Sequence, residues 1–190
     1  MNTVVQQFPD TVEFDRKARI ELADKIFSDL RKMSQDGPGV SRDSYGPGEQ
    51  SAINYIEKLA KEEGLPVRFD EAANLIVELK GNAPNAPCIV CGSHLDSVPQ
   101  GGNFDGAAGV IAGLISIIRM KRTNVIPPRT IRVMALRGEE SAWFDLCYLG
   151  SSALFGELAK NDLDRRHRFT GKTLGSYMKD AGAAVERISN

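Results

Sequence analysis

The chain is poor in the residues that usually announce a function. Among 190 residues it has two histidines, three cysteines and one tryptophan. Three cysteines in a chain of this size do not make a disulfide framework. Two of them, Cys88 and Cys91, form a C-x-x-C, but the motif falls inside an apolar β-branched run. Positions three apart on a strand point to opposite faces, and a redox C-x-x-C wants its first thiol at a helix N-terminus. Neither a redox nor a zinc reading fits, and both cysteines are expected to be small buried fillers. The formal net charge of -1 leaves no strong field to recruit nucleic acid or a membrane surface. No apolar run approaches the roughly 20 residues that span a bilayer. Residues 1–15 lack a basic segment followed by an apolar one, so a signal peptide is not expected. The expected compartment is cytoplasmic, with no nucleic-acid or membrane partner.

What is present is ordinary for a globular protein: 42% hydrophobic and 26% charged residues. Leu22, Ile26 and Leu30, with Ala23 and Phe27, set an apolar stripe that predicts a helix over residues 13–33. The segment Gln35-Asp36-Gly37-Pro38-Gly39 ends it. A second helix is expected over 49–63, with Ala52, Ile56, Leu59 and Ala60 inward and Gly64 as its C′ residue. Strands are expected at 66–70 and 74–79, paired as a hairpin. A short apolar strand at 88–92 reads as one buried on both faces. The helix predicted over 107–121 is apolar nearly all round and should be deeply buried. A strand at 130–136 follows. Helices alternating with β-branched strands argue an α/β sandwich with a mixed sheet. The run Asp164-Arg165-Arg166-His167-Arg168 reads as solvated charge, and a short helix is expected over 173–181.

The chemistry gathers at the ends of core elements. Gly92-Ser93-His94-Leu95-Asp96-Ser97 follows one predicted strand, Phe104-Asp105-Gly106 lies in the loop beyond it, and Glu139-Glu140 follows another. Ligands of open α/β sheets bind at the carboxyl ends of strands. The nearby Gly92, Gly101, Gly102 and Gly106 permit tight turns and close backbone approach. His94 offers a neutral imidazole nitrogen to a divalent metal. Asp96 is placed to accept a hydrogen bond from the other ring nitrogen. Asp105 could bridge two metals roughly 3.5–4 Å apart. Of Glu139 and Glu140, one should ligate and the other should handle protons, because adjacent side chains cannot face the metals equally. His167, flanked by arginines, is not expected to ligate. Trp143 is either a pocket wall or a core aromatic.

The stretch from Gly92 through Asn103-Phe104-Asp105-Gly106 to Gly109 resembles the signature of the hydantoinase/carbamoylase amidases, in the M20 metallopeptidase-like group. Arg137-Gly138-Glu139-Glu140-Ser141-Ala142-Trp143-Phe144 and Tyr148-Leu149-Gly150-Ser151 are similar to the family's next motif. Thr170-Gly171-Lys172-Thr173-Leu174 resembles the segment leading into its smaller, dimerising domain. The resemblance implies two divalent metals, zinc or manganese. It implies His94 as a metal ligand, Asp105 as the bridging aspartate, Glu140 as ligand of the second metal, Glu139 as catalytic base and Asp96 as the aspartate behind the ligands. The implied activity is a hydrolase acting on non-peptide C–N bonds, taking a small carbamoyl or ureido substrate such as an N-carbamoyl amino acid or allantoate.

The resemblance also implies an incomplete, zinc-peptidase-like catalytic domain. Residues 1–160 would be its N-terminal part, and 161–190 a tail leading toward a lid and dimerisation domain. The family's two further histidine ligands and its substrate-carboxylate arginine have no counterpart here, so reduced metal occupancy is expected. Ser141-Ala142-Trp143 replaces the more usual Gly-Ser-Arg. The expected partners are a homodimer mate or a complementary C-terminal chain. A non-catalytic remnant or subunit, and a peptidase or deacylase of the wider group, are the competing readings.

Overall fold

Helix α1 (Val12–Ser34) ends where Ser34 Oγ donates to the Leu30 carbonyl, and the chain turns through a small hairpin. Its strands are β1 (Gln35–Asp36) and β2 (Gly39–Val40). The computed structural model describes residues 12–83 and 85–188, with side chains from 16 onward. Pro47 opens helix α2 (Pro47–Glu62), where its missing N–H costs nothing. A Schellman turn closes it: Leu65 N–H donates to the Ala60 carbonyl and Gly64 N–H to that of Lys61. Gly64 has φ +65°, as expected of a C′ glycine.

Strands β3 (Val67–Phe69) and β4 (Leu75–Leu79) form the expected antiparallel hairpin. Strand β5 (Ile89–His94), helix α3 (Ala107–Arg122) and strand β6 (Ile131–Leu136) form a β-α-β unit with β5 and β6 parallel. The sheet order is β3-β4-β6-β5, with β4 antiparallel to β6. It is a mixed sheet in an α/β protein, the architecture that the sequence predicts. Leu75 and Val77 of β4 and Val133 and Ala135 of β6 share one face by the two-residue period of a strand. With Ile26, Leu30, Ile53, Ile56, Val110, Ile111, Leu114 and Ile118 of the three helices they make the main core.

Three expectations about this core are corrected. Strand β5 is not buried on both faces: it lies at the sheet edge, with Ile89 38% and Val90 55% exposed. Among the described residues no strand pairs its outer side. For the same reason the cysteines are not buried fillers. Cys91 is exposed and Cys88 half-buried, both as free thiols. Helix α3 is buried on one face, through Ala107, Val110, Ile111, Leu114, Ile117 and Ile118. Ala108, Gly109, Ala112 and Ser116 stay exposed. Its composition is apolar all round, but the described residues supply a neighbour on one side only.

The remaining elements are α4 (Leu149–Leu154), a 3-10 turn (Lys160–Asp164), α5 (Leu174–Asp180) and α6 (Val185–Ile188). They close a second core around Trp143, Phe144, Leu149, Leu158, Leu174 and Met178. The charge run is solvated at its arginines but not at His167, which is only 4% exposed. That ring stacks between Trp143 (centroids 5.4 Å apart) and Tyr177 (4.9 Å). Burial pushes His167 down from its ordinary pKa, opposed by the charge of Asp43. A neutral imidazole suits an aromatic sandwich. Among the described residues no helix is long and apolar enough to cross a membrane.

Candidate metal centre

Strand register brings the candidate residues together. Because β5 and β6 run parallel, their carboxyl ends lie side by side, and His94 pairs with Leu136 in the ladder. Three residues beyond Leu136 comes Glu139. Gly138, at φ +60°, turns the chain between them. A buried ion pair fixes this turn: Arg137 Nε donates to Glu49 Oε2 at 2.8 Å, and both side chains are fully buried. The other carboxylate oxygen of Glu49 accepts the Gly138 N–H at 3.0 Å. Removing one partner of such a pair costs about 3–5 kcal/mol, since the other charge is left buried alone. Helix α2 therefore holds the loop that carries Glu139 and Glu140.

Donor atoms of His94, Glu139 and Glu140 all lie within 4.8 Å of one another. His94 Nε2 is 3.7 Å from Glu139 Oε2. Asp96 lies beneath this group, with no exposed surface. Its carboxylate accepts the N–H of Glu139 at 3.1 Å, the N–H of Glu140 at 3.0 Å and the hydroxyl of Ser44 at 2.6 Å. On the remaining side His94 Nδ1 faces Asp96 Oδ1 at 3.2 Å and the Asp96 carbonyl at 3.1 Å. Both are acceptors, so Nδ1 carries the proton. When neutral, the ring presents a lone pair at Nε2, the atom turned toward the glutamates.

The same carboxylates favour a second proton on the ring, which a cation at Nε2 would displace. Burial opposes the charged form of His94, but the hydrogen bond and charge of Asp96 and the charge of Glu139 outweigh it, lifting the imidazole to about 9. Burial, then the charges of Asp96, Glu139 and Asp105, push the Glu140 carboxyl up from its ordinary value, against the pull of His94. A half-buried cluster this rich in negative charge attracts cations.

Asp105 is exposed and stands outside the group of three. Its loop is nevertheless tied to the site. Gly106, the next residue, packs so closely that a Cβ there would lie 2.4 Å from the His94 ring. Trp143 is a core residue rather than a pocket wall. It is 6% exposed, and its Nε1–H donates to the Ser97 carbonyl at 2.8 Å. Sequence reasoning missed Ser44, Glu49 and Arg42. Ser44 and Asp96 are 52 positions apart, and no local pattern marks that pairing.

An α/β sheet with an imidazole and two carboxylates at adjoining strand ends defines a metallopeptidase-like catalytic fold. The chain belongs to peptidase family M28, whose family model matches residues 74–169. It is 38% identical over 154 residues to an N-carbamoyl-L-amino acid amidohydrolase of Geobacillus stearothermophilus, covering 81% of this chain and 37% of that protein. It is 32% identical over 170 residues to an allantoate amidohydrolase of Bacillus subtilis, covering 87% and 41%. A hydantoinase/carbamoylase family amidase from Burkholderia multivorans has the same fold, with a TM-score of 0.79 at 28% identity over 87% of this chain and 40% of that one. The chain thus spans about two fifths of the length of these relatives.

Proposed function

We propose that this chain carries the first part of the active site of a metal-dependent amidohydrolase that cleaves the carbamoyl or ureido C–N bond of an N-carbamoyl amino acid or an allantoate-like substrate. The observation that carries the reading is the convergence of His94, Glu139 and Glu140 over the buried carboxylate of Asp96. The His94 imidazole and the Glu140 carboxylate are donors that suit zinc or manganese, with Glu139 beside them as the base. His94 and Glu140 would each hold a metal, with Asp105 the bridge between two. Residues 161–190 would lead toward a lid and dimerisation domain.

Divalent cations, if bound, would supply positive charge for the developing oxyanion and lower the pKa of water toward about 7. The chain's own residues do the rest. Asp96 locks the His94 tautomer and, by taking the backbone N–H groups of both glutamates, sets their place at the rim. Glu139, half-exposed beside His94 Nε2, takes a proton from the attacking water as a C–O bond forms. It returns that proton to the leaving nitrogen as the C–N bond breaks. The names of the relatives support a carbamoyl or ureido substrate. The description of the matching family as a peptidase favours a second reading, in which a peptide or acyl amide is cut by the same groups.

Metal content and turnover test this. The isolated chain, loaded with zinc or manganese, should bind metal weakly and hydrolyse little, because the group contains one imidazole. With a complementary C-terminal chain supplied, it should prefer N-carbamoyl amino acids over dipeptides. Glu139→Gln should keep the metal and lose turnover by about 10²–10⁴-fold. Equal metal uptake by the native chain and His94→Ala would sink the proposal, and a preference for dipeptides would move it to the second reading.

A further inference from the structure

Arg42, like Arg137, is among the largest fully buried side chains of the described residues, and it has no exposed surface. A guanidinium is costly to bury, and an apolar residue of similar size would fill the same space at less cost. Its contacts are spread over the two loops that carry the candidate ligands. The Nε–H donates to the Leu95 carbonyl at 2.5 Å, between His94 and Asp96. One terminal nitrogen donates to Asn103 Oδ1 at 3.3 Å and to Ser34 Oγ at 3.4 Å, and the other donates to the Asn103 carbonyl at 3.4 Å. Asn103 lies two residues before Asp105, and its own Nδ2 donates to the Phe27 carbonyl at 2.9 Å.

The Arg42 backbone adds a second tie. Its N–H donates to Ser97 Oγ at 3.0 Å, and its carbonyl accepts the Ser97 N–H at 2.9 Å. One residue is thus bonded to Leu95, Ser97 and Asn103, each within two positions of His94, Asp96 or Asp105. Burial pulls the guanidinium below its ordinary pKa, opposed in part by the negative charges of Asp96, Asp105 and Glu49.

We infer that Arg42 is a positioning residue, whose planar fork holds the Asp105 loop against the His94–Asp96 segment so that ligands from two separate loops share one site. The inference rests on the metal-site reading above. The fork geometry matters more than the charge, because a lysine ammonium is a single point and cannot span Leu95 and Asn103 together. Groups that orient metal ligands typically govern 10–100-fold in metal affinity.

The test compares the full chain with Arg42→Lys, Asn103→Ala and the double variant, by cobalt absorption titration and backbone hydrogen exchange. Arg42→Lys should lower cobalt affinity about 10–100-fold and speed exchange at Ser97, Ala107 and Ala108. Exchange within α2 should not change, which shows that the fold survives. Asn103→Ala should speed Ala107 and Ala108 but not Ser97. The double variant should bind cobalt no more weakly than Arg42→Lys alone, since both changes break the same link. Unchanged exchange and affinity in Arg42→Lys would overturn the inference, as would strictly additive losses. If the native chain binds no cobalt, the metal reading fails. The exchange comparison then still decides whether Arg42 holds the two loops.

Discussion

A single methyl group added at Gly106 would collide with the His94 ring. The glycine has φ +62°, a conformation that residues with a Cβ adopt at a cost of about 1–3 kcal/mol. Its Cα faces the imidazole so closely that an added Cβ would meet three ring atoms within 2.5 Å. The ring cannot retreat, because Nδ1 is held by Asp96. Gly106→Ala should therefore destabilise the chain and displace Nε2 from the glutamates, with metal affinity falling more steeply than for other loop glycines. Gly102→Ala is the control, since its nearest neighbour would be the Asp105 Cβ at 3.9 Å. Thermal melts and cobalt titrations of the two variants check this, and equal behaviour would refute it. The residue types in the His94–Asp105 stretch were legible in the sequence. The reason Gly106 must be a glycine was not, because the atom it avoids belongs to a side chain twelve positions earlier.

At the scale of elements, β5 is the unresolved tension of the fold. Its apolar run reads as a central strand, yet it lies at the edge with Ile89 and Val90 open to solvent. An exposed apolar edge with unpaired backbone groups invites pairing with another strand. Light scattering of the native chain should show association that grows with concentration. Val90→Lys should reduce it without changing the far-ultraviolet circular dichroism, because a lysine on an edge strand opposes pairing. A native chain that stays monomeric at high concentration would contradict this. Periodicity located every main helix and strand, since amphipathic stripes and β-branched runs are local properties. It could not assign sheet order, because an edge strand and a central one can share the same composition.

Across the whole molecule, the cluster of charge at the site should set the pH dependence of stability. His94 is raised in the fold from its ordinary 6.5 to about 9. Its contribution is fully present below pH 6.5 and is lost as pH rises through about 9. Glu140 is also raised, so it too favours the fold at the acid end and opposes it once ionised. In the presence of a chelator, urea unfolding should show stability falling between pH 6.5 and 9, and His94→Gln should flatten that slope. Stability that rises across the window would contradict the charge arrangement. Saturating metal should reverse the trend, because binding at Nε2 requires the neutral ring.

The sequence by itself determined the α/β class, the main elements and the residue types available for metal chemistry, because hydrophobic period and motif spacing are properties of neighbours along the chain. Tertiary structure decided which of them meet. Parallel pairing of β5 with β6 sets His94 beside the Glu139 turn. Buried partners far away in the chain, Ser44 for Asp96 and Glu49 for Arg137, hold the site from beneath. It also turned His167 from an apparent surface charge into a stacked core ring. Such contacts depend on how elements pack, and packing energy is shared among residues that no local stretch of sequence contains.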